Sequence, residues 1–161
     1  MPPDPEIFAL AQQLGERLRR SGRSLAVAES CTGGLLGSAV TDVPGSSAYF
    51  LGGVISYADR VKVDQLGVSE SVLRRYGAVS EEAAAAMASG VRQLLKADIG
   101  VSITGVAGPE AEGSKPAGLT LIGIAGDGVT THRFQWTGDR WDNRRRSVIA
   151  ALELLVRAPE L

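Results

Sequence analysis

The sequence predicts a three-layer α/β/α sandwich with a mixed β-sheet, and three observations predict it. Short apolar runs alternate with helix-length amphipathic segments through most of the chain, the pattern of parallel strands joined by crossover helices. Near the end, two strand-like stretches are joined by Gly126-Asp127-Gly128, a hairpin signal that makes the last strands antiparallel. The 161 residues, 44% hydrophobic and 22% charged, suit one globular domain with a substantial core.

Taken in order, Ile7, Leu10, Ala11, Leu14 and Leu18 recur at helical spacing, and Ser21-Gly22 ends that helix. Residues 24–28 form an apolar run too short for a helix, read as a buried strand. Thr32 is the expected cap of a helix through Leu35, Leu36, Ala39 and Val40 that stops near Pro44-Gly45. Residues 49–57 read as a strand weakened or bulged by Gly52-Gly53. Short helices follow over 59–66 and from Ser69 to Tyr76, each closed by glycine. Ser80-Glu81-Glu82 opens what reads as the longest helix, to about Lys96. Strands are expected over 99–103, 119–125 and 130–136, with a loop over 105–116 and a final helix over 139–156. No repeat or interdomain linker is apparent, so residues 1–161 are expected to form a single domain.

Seventeen basic residues against eighteen acidic ones give a formal net charge of −1, which does not suggest a nucleic-acid binder. Arg144-Arg145-Arg146, the densest basic cluster, points three ways on a helix and reads as a partly solvated face. One cysteine and one histidine exclude an internal disulfide, a thiolate-rich zinc site and a histidine cluster, and no metal is expected. The N-terminus lacks the pattern of a signal peptide, and no apolar run approaches a membrane span. The cytoplasm is the expected location, with no membrane partner.

Chemistry concentrates in Ala28-Glu29-Ser30-Cys31-Thr32-Gly33-Gly34, where a buried strand hands over to a helix. Unpaired N–H groups at a helix N-terminus attract anions, and glycines let a ligand approach the backbone closely. A serine at such a turn has the layout of a nucleophile elbow, although Ala28 and Thr32 replace the glycines of G-x-S-x-G. The plainer alternative is that Ser30 and Thr32 only cap the helix. Cys31 is a rival nucleophile, with packing under the turn as its alternative. His132 lies inside a strand and reads as a surface residue, so Lys62, one turn into a helix after a strand end, is the candidate base. A solvated helix lysine is the competing reading. Thr104, Gly105 and Gly108 belong to a glycine-rich strand end suited to clamp a small ligand, though the order Ser114-Lys115-Pro116 rules out a Walker P-loop. Arg140 and Arg144, four apart on one helix face, are candidates to hold a phosphate or carboxylate together.

These motifs, in this order, resemble the C-terminal domain family of the competence/damage-inducible protein CinA, whose stand-alone members are nicotinamide-nucleotide amidohydrolases. The resemblance rests on AESCTGG at 28–34, TDVPGSSAYF at 41–50, SYADRVK at 56–62, GAVSEEAAAAMASG at 77–90, SITGVAGP at 102–109, KPAG at 115–118 and GDRWDNRRR at 138–146. It implies a metal- and cofactor-free Ser/Lys hydrolase converting nicotinamide mononucleotide (NMN) to nicotinic acid mononucleotide and ammonia, in pyridine nucleotide recycling. On this resemblance Ser30 is the nucleophile, Lys62 the catalytic lysine, and Tyr57 orients lysine or substrate. The substrate-binding set is then Thr32, Gly33, Gly34, Thr104, Gly105, Gly108, Arg140 and Arg144. Three positions depart from the family's pattern: Asp59 replaces asparagine, the 110–113 loop is shorter and lacks the usual aspartate with paired glycines, and Leu119 replaces a common threonine. Alternatives are a non-catalytic module that binds a nucleotide or partner protein, and an amidase for another small amide. A homodimer is compatible with either.

Overall fold

The computed structural model describes residues 1–159. Helix α1 (Pro5–Ser21) starts at Asp4, whose carboxylate accepts the Glu6 and Ile7 N–H groups, and ends at Gly22 with φ 70°. Strand β1 (Leu25–Glu29) is buried throughout and lies between β2 (Phe50–Ile55) and β3 (Ile99–Gly105), parallel to both. Strands β4 (Leu119–Ala125) and β5 (Val129–Gln135) add antiparallel, giving the order β2-β1-β3-β4-β5. The mixed sheet and the 126–128 hairpin are as the sequence predicts. The β1–β2 register slips between Leu25 and Ala26 so that Leu51 is extra, a bulge directly before Gly52.

The strand period of two sends alternate side chains of β1 to opposite layers. Leu25 and Val27 join Leu14, Leu18, Leu36, Val148 and Leu152 in the core beneath α1, α2 (Leu35–Thr41) and α6 (Arg140–Arg157). Ala26 and Ala28 pack with Leu66, Met87 and Val91 under α3 (Asp59–Leu66) and α5 (Glu81–Leu95). Helix α4 (Glu70–Tyr76), opened by the Ser69 cap, lies beside α5. The expected three layers are present. Two details differ from the sequence reading: α6, at 18 residues, is longer than α5 at 15, and a 3₁₀ turn occupies Ser46–Ala48.

Close approach of α5 to α3 sets the position of Lys62. A Cβ on Gly90 would sit 1.9 Å from the Leu66 carbonyl oxygen, so only glycine fits unless α3 moves. Gly90→Ala should therefore lower stability by about 1–3 kcal/mol, read as a lower urea midpoint at unchanged slope.

Candidate active site

Ser30 follows the last residue of β1, and its N–H donates to the Ile103 carbonyl at 2.9 Å, fixing it to the end of the neighbouring strand. Residues 31–34 then form a turn, with Gly33 and Gly34 at φ 60° and 102°, before α2 begins at Leu35. This corrects the expected Thr32 cap: the helix is preceded by Gly34, which supplies no side-chain bond. The Thr32 hydroxyl instead donates to Glu29 Oε1 at 2.6 Å. Glu29 is only 1% exposed, and its carboxylate also accepts the Leu36 and Gly37 N–H groups, each at 2.9 Å. A carboxylate from the chain itself thus neutralises the positive end of α2, and that helix N-terminus is not open to a substrate anion as the sequence suggested. Arg144 fixes the other side of the turn, donating from Nε to Cys31 O and from Nη2 to Thr32 O, both at 3.0 Å.

Lys62 enters from α3, whose chain arrives from the end of β2. The parallel β1–β2 pairing continues one step as Ser56 N–H donates to Glu29 O at 2.7 Å, bringing the two strand ends level. Lys62 is 1% exposed, and Nζ lies 3.2 Å from Ser30 Oγ, 2.7 Å from Ser56 O and 3.2 Å from Tyr57 O. Asp59 Oδ1 is 3.9 Å away and largely solvated. Burial pushes the Lys62 ammonium below the ordinary lysine value, while Asp59, and then Glu112, pull it back up. The Cys31 thiol is pushed up to about 11, chiefly by burial, which leaves it protonated at neutral pH.

A cavity of about 260 Å³ opens over this pair, lined by Ser30, Tyr57, Lys62, Thr104, Gly105, Gly108 and Arg140, among others. Thr104 is anchored by its hydroxyl donating to Ala78 O at 2.8 Å, and Arg140 Nη1 donates to Gly108 O at 2.7 Å, tying α6 to the 105–116 loop. Of the expected site residues, Thr32, Gly33, Gly34 and Arg144 do not line this cavity. Thr32 is turned inward onto Glu29, and the Arg144 guanidinium is engaged with the Ser30 turn, so Arg140 and Arg144 do not work as a pair. Tyr57 contributes its carbonyl to Lys62, while its side chain is exposed at the cavity. His132 lies on β5, outside the lining, and Arg145 and Arg146 bind Asp4 with Glu6, and Asp142. The sequence reading missed Glu29, Ser56, Glu110 and Glu112. Only Glu29 carried a local signal, as an acid in a buried strand just before a helix turn.

Among the described residues, no group of three or more His, Cys, Asp or Glu is arranged to hold a metal ion, and no helix is long and apolar enough to cross a membrane.

The family model of the CinA C-terminal domain matches residues 7–158. A putative competence-damage inducible protein of Halothermothrix orenii is 51% identical over 152 residues, covering 92% of this chain and 37% of that protein. A CinA-like protein of Frankia casuarinae is 52% identical over 145 residues, covering 89% and 33%. The chain thus spans about a third of the length of these curated relatives. Among solved structures, the competence/damage inducible protein CihA of Agrobacterium tumefaciens superposes with a TM-score of 0.93 at 35% identity, covering 97% of this chain and 98% of that one. A CinA superfamily protein of Escherichia coli gives 0.92 at 34% identity, covering 97% and 92%.

Proposed function

The chain belongs to the CinA C-terminal domain family, and from that premise we propose that it hydrolyses the carboxamide of NMN to nicotinic acid mononucleotide and ammonia. The observation that carries the reading is the 3.2 Å contact between Ser30 Oγ and a buried Lys62 Nζ at the floor of a cavity. A neutral amine has two N–H donors and one lone pair. Ser56 O and Tyr57 O accept the two donors, which leaves the lone pair for the Ser30 hydroxyl proton.

Ser30 Oγ then attacks the carboxamide carbon as Lys62 takes its proton, forming a tetrahedral oxyanion. At the turn, Ser30 N–H is bonded to Ile103 O and Gly33 N–H to Ser30 O, so Cys31 N–H, at the cavity, rather than that of the fully buried Thr32, is the candidate donor to that oxyanion. Arg144, bonding the carbonyls of these two residues, holds the turn's peptides in one orientation. Lys62 returns the proton to the leaving nitrogen, the C–N bond breaks, and ammonia departs. Water attacks the acyl-Ser30 ester, gives one proton to Lys62, and Ser30 regains its proton as the carboxylate product forms. Arg140 uses one of its five N–H donors on Gly108, and the rest are candidates for the NMN phosphate.

Ammonia release from NMN, followed in a coupled assay, is the direct test. Binding of NMN without release would instead support a non-catalytic binding module, a reading favoured by the acidic neighbours of Lys62. The same neighbours set a pH dependence. Asp59 stabilises the ammonium, so Asp59→Asn should lower the Lys62 value further and move the acidic limb of the kcat/KM profile down by about 0.5–1 pH unit. A limb that stays in place would show the two groups uncoupled.

A further inference from the structure

Helix α6 brings a guanidinium to the back of the nucleophile's turn. Arg144 donates to the carbonyls of two consecutive residues, Cys31 and Thr32, from outside the cavity lining. The hydrogen bonding continues past those carbonyls. Thr32 O belongs to the same trans peptide unit as Gly33 N–H, and Gly33 N–H donates to Ser30 O at 3.1 Å. Ser30 O in turn shares its peptide unit with Cys31 N–H, the candidate donor to the oxyanion. A donor bound at a peptide oxygen polarises the N–H across the conjugated C–N bond, so Arg144, the Thr32–Gly33 peptide and the Ser30–Cys31 peptide form one polarised series. The Cys31 thiol, on the residue where that series ends, feels Arg144 ahead of any other charged side chain, although burial dominates its shift. The α2 end is already occupied by Glu29, so the positive charge bonded to the turn is that of Arg144. Among the described residues Arg144 forms no salt bridge that would cancel this charge, and the Trp141 ring lies over its Cζ at 5.5 Å, covering one face.

We propose that Arg144 is a positioning residue for the reaction, delivering its positive charge through two peptide units in series to Cys31 N–H and so strengthening the donor that meets the oxyanion. The inference rests on the amide hydrolysis proposed above and gives a part in it to a side chain that does not touch the substrate. A neutral carboxamide oxygen gains little from a more polarised donor, whereas the oxyanion gains most, so the effect falls on the transition state. Arg144 therefore raises kcat and leaves KM nearly unchanged.

The experiment compares ammonia release from NMN by Arg144→Lys, Arg144→Gln and the unsubstituted protein. Both substitutes carry an N–H donor for Thr32 O, and only lysine carries the charge. Arg144→Gln should lower kcat about 20-fold and Arg144→Lys about threefold, with KM within about twofold for both. A second measurement uses the NMN analogue with a carbaldehyde in place of the carboxamide. Ser30 Oγ bonds to its carbonyl carbon, Lys62 takes the hydroxyl proton, and the carbonyl oxygen becomes an oxyanion at Cys31 N–H. Affinity for this analogue should fall in step with kcat, whereas NMN binding to the same variants carrying Ser30→Ala should not change. If the glutamine variant fails to fold, the lysine variant decides by the same split between analogue and NMN. Equal kcat in the two variants, or a loss that appears equally in NMN binding, would overturn the role of Arg144 while leaving amide hydrolysis standing. Absence of ammonia release by the unsubstituted protein would overturn the hydrolysis and this inference with it.

Discussion

Replacing Lys62 with methionine should reduce ammonia release from NMN about 10³–10⁴-fold at every pH from 6 to 10, with NMN still bound. An ordinary lysine leaves only about one molecule in ~2,500 neutral at pH 7. Burial at 1% exposure raises that fraction, and methionine of similar length fills the space without a basic nitrogen. The same substitution has a stability signature of definite sign. In the unfolded chain Lys62 holds its proton up to about 10.5, whereas the folded chain releases it earlier. Between the lowered folded value and about 10.5 the unfolded state therefore binds more protons, and folding stability rises with pH. The penalty for burying the ammonium is fully present below that window and has vanished above it. Lys62→Met should lack this rise, so the stability difference between the two proteins changes in favour of the unsubstituted protein from pH 7 to 10.5, measured as urea midpoints. A Lys62→Met enzyme that still releases ammonia would end the assignment of lysine as base.

Ser30→Ala should remove turnover by at least about 10⁴-fold while leaving thermal stability within about 1 kcal/mol, because only the Oγ contact to Lys62 is lost. Cys31→Ala is the informative partner. With its thiol pushed up to about 11, only about one molecule in ~10⁴ carries a thiolate at pH 7, so the cysteine variant should retain most of its activity. A dead cysteine variant beside an active serine variant would reverse the assignment.

Most of the sheet was legible because short continuous apolar runs, glycine stops and the 126–128 turn are local signals. Element existence followed from them, and the boundaries moved by only a residue or two. The Ser30–Lys62 contact was not legible from local pattern. Its residues are 32 apart, and only the parallel pairing of β1 with β2, sealed by Ser56 N–H to Glu29 O, makes them neighbours. The resemblance to known motifs named both residues, whereas spacing left each with an ordinary structural explanation. The misreadings share one cause. Local pattern assigns Thr32 and the α2 N-terminus the partners such groups usually seek, but Glu29, reaching forward from the strand, satisfies both first. Helical spacing pairs Arg144 with Arg140, but the turn carbonyls 112 and 113 residues earlier in the chain compete for the same guanidinium. Glu110 and Glu112 reach the cavity only through closure of a long loop, which no periodicity records.

The position of β2 at the edge of the sheet separates two kinds of robustness. Ser30 hangs from β1, which is clasped on both sides, whereas the chain leading to Lys62 hangs from a strand bonded on one side only and interrupted by a bulge and two glycines. Opening of that strand breaks few apolar contacts compared with global unfolding, so its free energy lies well below that of the whole chain. Each such excursion withdraws the Ser56 and Tyr57 carbonyls that orient Lys62, while α3 stays packed on α5 and the core under α1 and α6 stays closed. Amide hydrogen exchange should accordingly register faster exchange for Ser56 N–H than for Ser30 N–H, and inactivation in urea should precede the loss of helical signal. The proposed activity then depends on one hydrogen-bonded seam, and mutations that tighten β2 against β1 should prolong it in urea without touching Ser30 or Lys62.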